Sequence, residues 1–158
     1  MRLLIYGGTF NPPHLGHADA LSCAAAALDA DRMLVVPAGI PPHKALAEGS
    51  PSAEERLRLC ELAFEKTDVT SMELRRDGKS YTVDTLRAIS RANPGVELYF
   101  LVGTDMLLYM EHWHEFREIF LLCTLAALPR AEGDMAKIEQ YAAYLRETYG
   151  ARIEIIPK

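Results

Sequence analysis

Gly7-Gly8-Thr9-Phe10-Asn11-Pro12-Pro13-His14-Leu15-Gly16-His17 is the stretch on which the reading of this chain turns. An apolar run, Leu3-Leu4-Ile5-Tyr6, precedes it and reads as a buried strand. An alanine-rich run over residues 18–28 follows it and reads as a helix. Strand, glycine turn and helix make a geometry in which backbone N–H groups at a helix start hold phosphate. Glycine lets the backbone approach a ligand with no side chain in the way. Pro12 and Pro13 stiffen the loop. His14 and His17 lie three apart across Gly16, so both face one pocket if the helix begins near His17.

Two histidines beside a phosphate cradle suit phosphoryl transfer. A protonated imidazole donates hydrogen bonds and brings charge to a transition state that gains negative charge. Two other readings start from the same residues. A zinc pair is one, but zinc-protease pairs enclose a glutamate on a continuous helix. Here Pro12, Pro13 and Gly16 interrupt the helix. In the other, both histidines only cap or pack the turn. The string resembles the HxGH motif of the nucleotidylyltransferase superfamily, and its extended form GGTFNPPHLGH resembles the nicotinate-nucleotide adenylyltransferase family. The resemblance implies that His14 and His17 contact the phosphates of ATP and stabilise the transition state, with Gly7, Gly8, Thr9 and Phe10 in the ATP-binding loop.

At 158 residues the chain is long enough for one α/β domain with a sizeable core. A hydrophobic content of 49% and a charged content of 25% are ordinary for a globular protein. The net charge of −5 argues against general nucleic-acid binding, which needs a basic field, but allows a local basic pocket for a nucleotide. Cys23, Cys60 and Cys123 are far apart in apolar runs, which predicts reduced, buried thiols and a cytoplasmic setting. No apolar stretch reaches transmembrane length, and the N-terminus reads as a strand rather than a signal peptide, so no membrane partner is expected.

Residues 32–36 read as a second buried strand. The loop Ala38-Gly39-Ile40-Pro41-Pro42-His43-Lys44 then falls at its C-terminal end, where open α/β sheets place ligands. Ser52 and Glu55 form a capping-box pair for a helix with Leu57, Leu59, Leu62 and Ala63 on its apolar side and Arg56, Arg58, Glu61 and Glu65 on its solvated side. Residues 69–74 read as a third strand and Asp77-Gly78 as a turn. Ser80-Tyr81-Thr82-Val83-Asp84-Thr85-Leu86 opens a helix running to about Ala92, and Asn93-Pro94-Gly95 stops it. Residues 96–102 suit a central parallel strand that feeds Gly103-Thr104-Asp105-Met106. Residues 120–128 read as a fifth strand, 135–149 as a helix and 152–156 as a last short strand.

Four of these strings strengthen the resemblance: PPHK, SYTVDTL, GTDM and the segment around Trp113. It implies that Lys44 meets ATP phosphates as a third catalytic group and that Arg130 reaches them too. It implies that Thr82 holds the nicotinate carboxylate and that Gly103 and Asp105 meet the substrate nucleotide. Trp113 would stack on the pyridine ring, and the backbone N–H of His114 would bind its carboxylate. The match runs from Met1 to Pro157, as a single nucleotidylyltransferase domain over residues 1–158. A further segment of the family, with an I-S-S-T-x-I-R-like ATP-binding motif, lies beyond the last strand, and this sequence stops at Lys158 before it.

The expected fold is a Rossmann-like α/β sheet of mainly parallel strands with helices on both faces. The expected reaction is AMP transfer from ATP to nicotinate mononucleotide, yielding nicotinate adenine dinucleotide and pyrophosphate. Mg²⁺ would come with the ATP, with no metal held by protein side chains. Rival expectations are another small-molecule adenylyltransferase, such as a phosphopantetheine enzyme, or a nucleotide-binding module of weak activity. The oligomeric state is left open.

Overall fold

Apolar side chains at alternate positions of the strands separate into two groups, one for each face of a sheet. In the computed structural model, which describes residues 1–39, 49–65, 67–76 and 78–157, this alternation builds two cores. The elements run β1 (Arg2–Gly8), α1 (Leu15–Leu28), β2 (Arg32–Pro37), α2 (Ala53–Ala63), β3 (Asp68–Val69), α3 (Thr82–Ala92), β4 (Glu97–Gly103) and α4 (Thr104–Leu108). A 3₁₀ turn (Met110–His112), α5 (Phe116–Leu122), β5 (Thr124–Leu128), α6 (Asp134–Tyr149) and β6 (Ile153–Ile155) complete the order. Leu4, Tyr6 and Leu101 pack with Leu21 and Leu28 of α1 and Cys60 of α2. Leu3, Ile5 and Phe100 pack with Leu86 of α3, Leu107 of α4, Ile119 of α5 and Leu145 of α6. Each fully buried leucine or isoleucine contributes about 1.5–3 kcal/mol.

All strand pairs are parallel, and the order across the six-stranded sheet is β3-β2-β1-β4-β5-β6. The expected Rossmann-like architecture is therefore present, with helices on both faces. Strand β1 lies between β2 and β4, so the chain reverses its winding there. Open α/β sheets bind ligands outside the carboxyl ends of the strands at such a point.

Several local expectations need correction. Residues 69–74 do not form a strand; β3 ends at Val69. The Thr70 hydroxyl accepts the Met72 N–H at 3.2 Å, and Arg75 N–H bonds the Ser71 carbonyl, which turns the chain off the sheet edge. The apolar run 120–128 divides between helix and strand: α5 continues to Leu122 and β5 starts at Thr124. Helix α1 begins at Leu15 with His14 as its N-cap, earlier than residue 18. The capping box of α2 is present as expected, but its buried face is not the leucine face. Leu62 is 75% exposed while Arg56 is 1% exposed. All three cysteines are free thiols, with Cys60 and Cys123 buried and Cys23 exposed.

Gly39 brings the end of β2 against the turn after β3. A Cβ at this position would lie 2.8 Å from the Glu73 carbonyl oxygen, and backbone cannot retreat as a flexible side-chain tip does. Gly39→Ala is therefore expected to lower stability by about 1–3 kcal/mol. Urea unfolding checks it, the expected result being a lower midpoint at unchanged slope.

Candidate active site

Strand β1 ends in Gly7-Gly8, and the loop after it must turn into α1 within a few residues. Phe10 makes the turn with φ of 48°, a left-handed conformation disfavoured for a side-chain-bearing residue. Aromatic packing holds it there. The Phe10 ring meets Tyr6, Phe64 and His17 edge-on, at centroid distances of 5.3, 5.4 and 5.1 Å. Gly16 serves the same turn, because a Cβ there would lie 2.8 Å from the His14 ring.

His14 and His17 stack with centroids 3.8 Å apart. The backbone N–H of His14 donates to Nδ1 of His17 at 3.0 Å. Since Nδ1 accepts, the neutral ring carries its proton on Nε2. Burial pushes His17 down to a pKa of about 4, and the neighbouring His14 and Arg130 push the same way. His17 is thus a neutral Nε2–H donor near neutral pH.

Two cavities open beside this loop. The first, about 410 Å³, is lined by the β1 end, Phe10, His14, His17, Gly103 and Arg130. Arg130 also engages the Tyr6 hydroxyl. The second, about 280 Å³, is lined by Thr82, Trp113, Phe100, Glu73, Ser80 and Thr85, among others. Gly7, Gly8, Thr9 and Met106 line both, so the cavities adjoin along the phosphate-cradle stretch. Trp113 stands edge-on to Phe100 at 6.1 Å and is only half-buried, leaving ring surface for a ligand.

The structure brings together Gly7, Gly8, Thr9, Phe10, His14, His17, Gly103 and Arg130 at the first cavity, and Thr82 and Trp113 at the second. Asp105 is exposed in the first turn of α4 and lines neither cavity. His114 lines neither; its ring tilts against Tyr81 at 4.3 Å and its Nε2 is 3.3 Å from the Glu115 carboxylate. Lys44 lies outside the described residues.

Sequence reasoning missed several side chains. Glu73 is buried in the second cavity's wall, accepts from the Thr85 hydroxyl at 2.6 Å, and has its pKa raised by burial. Arg76 donates to the same hydroxyl at 2.7 Å. Glu111, two residues before Trp113, accepts from Tyr141, Tyr144 and Tyr149 of α6 at 2.5, 2.8 and 2.5 Å. These phenols anchor the turn that presents the tryptophan. Arg56 donates to the carbonyls of Thr9, Ala38 and Gly39. None of these residues stands in the motif strings, and only a charged residue recurring at the period of a buried helix face could have pointed to Arg56.

The depressed pKa of His17 has a consequence for stability. As pH falls below 6.5, the unfolded chain takes up the proton while the folded chain does not. Stability from the neutral ring is present above that pH and is lost on the way down to about 4. His17→Asn keeps an acceptor for the His14 N–H and does not titrate. Unfolding midpoints measured across this window are expected to fall more steeply for the wild-type protein than for the variant, and equal slopes would contradict the assignment.

The Cytidylyltransferase-like family model matches residues 5–151. A Synechococcus sp. protein named "Probable nicotinate-nucleotide adenylyltransferase" is 39% identical over 146 residues, covering 90% of this chain and 72% of that one. A Trichlorobacter lovleyi protein of the same name is 39% identical over 153 residues, covering 94% of this chain and 71% of that one. Among solved structures, the Plasmodium falciparum nicotinic acid mononucleotide adenylyltransferase complexed with NaAD superposes with a TM-score of 0.73 at 19% identity. That likeness covers 99% of this chain and 76% of the other, and speaks for the fold. With a motif loop, a sheet order and relatives at 39% identity over most of its length, this chain belongs to the nicotinate-nucleotide adenylyltransferase family.

Proposed function

We propose that the protein transfers the AMP moiety of ATP to nicotinate mononucleotide. The observation that carries this reading is the pair of cavities meeting along Gly7, Gly8 and Thr9. A reaction that joins two nucleotides through their phosphates needs two base-sized pockets with one phosphate cradle between them. ATP takes the first cavity, with its phosphates over the glycine loop, His14, His17 and Arg130; the resemblance adds Lys44, which lies outside the described residues. The pyridine ring takes the second cavity against Trp113, with Thr82 and the backbone of His114 as donors to its carboxylate. The resemblance also assigns Gly103 and Asp105 to the mononucleotide, but Gly103 lines the first cavity and Asp105 lies outside both, so the geometry does not support that assignment.

An oxygen of the mononucleotide phosphate attacks the α-phosphorus of ATP. A new P–O bond forms as the bond from the α-phosphorus to the bridging oxygen breaks, and pyrophosphate leaves with that electron pair. The attacking phosphate is already ionised, so no side chain need form a covalent bond or remove a proton. Enzymes of this family use a divalent metal with ATP, and we take it here as Mg²⁺ bound to the triphosphate, whose charge it neutralises. Among the described residues no cluster of three or more histidine, cysteine or acidic side chains is placed to cage an ion. Free thiols at all three cysteines suit a cytoplasmic setting, and no described helix is long and apolar enough to cross a membrane.

His17→Ala is expected to lower turnover by ~10²–10³ while nucleotide binding changes little, because the Nε2–H donor meets charge that develops during transfer. Single-turnover kinetics with ATP measures it, and a near-normal rate would end the catalytic role of this histidine.

The reading as a whole is tested by pyrophosphate release from ATP with nicotinate or nicotinamide mononucleotide as acceptor. A carboxylate accepts at both oxygens, whereas an amide turns an NH₂ towards one donor, and a mispaired buried donor costs ~1–3 kcal/mol. The acid is expected to be preferred in kcat/KM by roughly tenfold or more. Thr82 is half-buried at the first position of α3, and Thr82→Val removes its hydroxyl at nearly constant shape. The variant is expected to shrink the preference. Equal use of both acceptors by the wild-type protein would overturn the carboxylate assignment.

A further inference from the structure

Arg56 is the largest charged side chain sealed inside the protein, at 1% exposure on the inward face of α2. Its Nη1 donates to the Thr9 carbonyl at 2.8 Å and the Ala38 carbonyl at 2.6 Å, and its Nη2 donates to the Gly39 carbonyl at 3.1 Å. Nε has no hydrogen-bond partner among the described residues. No carboxylate among the described residues forms an ion pair with the guanidinium. A buried arginine that answers only to carbonyls is costly to keep, and a hydrophobic side chain of similar volume would pack there at less cost. What the guanidinium does for the fold beyond packing is to fix three peptide planes at the C-terminal ends of β1 and β2. Those ends form the rim of both cavities: Thr9 lines both, Phe10 the first and Ala38 the second.

A planar trans peptide sends its C=O and the next residue's N–H in opposite directions. The peptides after Thr9 and after Ala38 are trans. With both carbonyls turned to Arg56, the N–H groups of Phe10 and Gly39 point away from the guanidinium. Neither N–H forms a hydrogen bond among the described residues. The left-handed backbone at Phe10, φ 48°, is part of the same arrangement.

We propose that Arg56 is a positioning residue for phosphoryl transfer: its guanidinium clamps the carbonyls of Thr9, Ala38 and Gly39 and so holds the N–H group of Phe10, which lines the first cavity, and that of Gly39, next in chain to Ala38 of the second, as anion donors. The clamp acts through geometry and does not touch substrate. It rests on the reading of this rim as a phosphate site. A carbonyl that rotated towards the rim would set a negative dipole against phosphate in place of a donor, which makes the peptide orientation a switch between attraction and repulsion.

The test titrates inorganic pyrophosphate into the isotope-labelled protein, followed by amide NMR, for the wild type, Arg56→Lys and Arg56→Met. Steady-state kinetics are taken alongside and referred to the concentration of folded sites. In the wild type the Phe10 and Gly39 amide signals are expected to move saturably with pyrophosphate. In both variants the response weakens about tenfold or more, and kcat per folded site falls about tenfold, while KM for the mononucleotide moves by less than roughly threefold. Arg56→Lys keeps the charge, but a single ammonium cannot span three carbonyls, so the two variants are expected to behave alike. Full recovery in the lysine variant would overturn the geometric role in favour of charge alone. An unchanged kcat per folded site in Arg56→Met would overturn the proposal outright. If neither variant folds, the wild-type titration still decides: a response at Thr9 with none at Phe10 and Gly39 defeats it. A wild-type protein whose two amides respond to pyrophosphate but which transfers no AMP defeats the functional reading above and the role of Arg56 in transfer, and leaves standing only the clamp that presents the two donors to an anion.

Discussion

Helix α1 leaves β1 towards one face of the sheet, α4 leaves β4 towards the other, and the gap opened by that divergence is what every functional side chain has to reach. Parallel pairing of β1 with both β2 and β4 creates it. Two aromatic rings close in on it from opposite faces. A Cβ on Gly8 would meet the Phe10 ring at 3.2 Å, and one on Gly7 would meet Phe100 at 3.4 Å. Phe10 belongs to the core under α1 and α2, and Phe100 to the core under α3 to α6. The glycines therefore let both cores extend to the end of β1 while the backbone between them stays bare for a ligand.

Much of this arrangement could be read from the chain because its parts are local. A glycine pair after an apolar run, a histidine pair at a helix start and a hydroxyl residue opening α3 each lie within a few residues of the element that positions them. The sheet order follows from strands that alternate with helices. The side chains that hold the site in shape were not readable in the same way. Arg56 reaches Thr9 across 47 positions of sequence, and Glu111 meets Tyr141, Tyr144 and Tyr149 across 30, 33 and 38. Nothing at either end of such a contact announces its partner.

Misreadings of α2 and of residues 69–74 share a cause. Leu59 and Leu62 made one stripe of α2 look like its core face, yet that stripe faces outward. The face that packs inward carries Arg56 and Cys60, and the guanidinium there satisfies carbonyls at the ends of β1 and β2. Beyond β3, a β-branched and apolar run left the sheet because the Thr70 side chain captured a backbone N–H that a ladder would have used. In both places hydrogen bonding overrode the hydrophobic pattern.

The state of His17 bears on how such a site discriminates between ground and transition states. Its ring sits against Phe10 and Tyr6, stacks on His14, and shares its surroundings with Arg130, and all of these conditions oppose a second proton. A cation there would grip the triphosphate strongly from the moment it bound, and binding of that kind lowers KM without raising kcat. On the proposed reaction, a neutral Nε2–H, oriented by the bond from the His14 amide to Nδ1, would grip less at first and gain as charge moved onto the departing pyrophosphate. On that proposed reading, the constant attraction that a polyanion needs would fall to Arg130, which lines the same cavity. If the proposed reaction holds, desolvating one histidine between aromatic rings would divide the labour at the phosphates, with Arg130 holding them and a neutral donor meeting the change in charge.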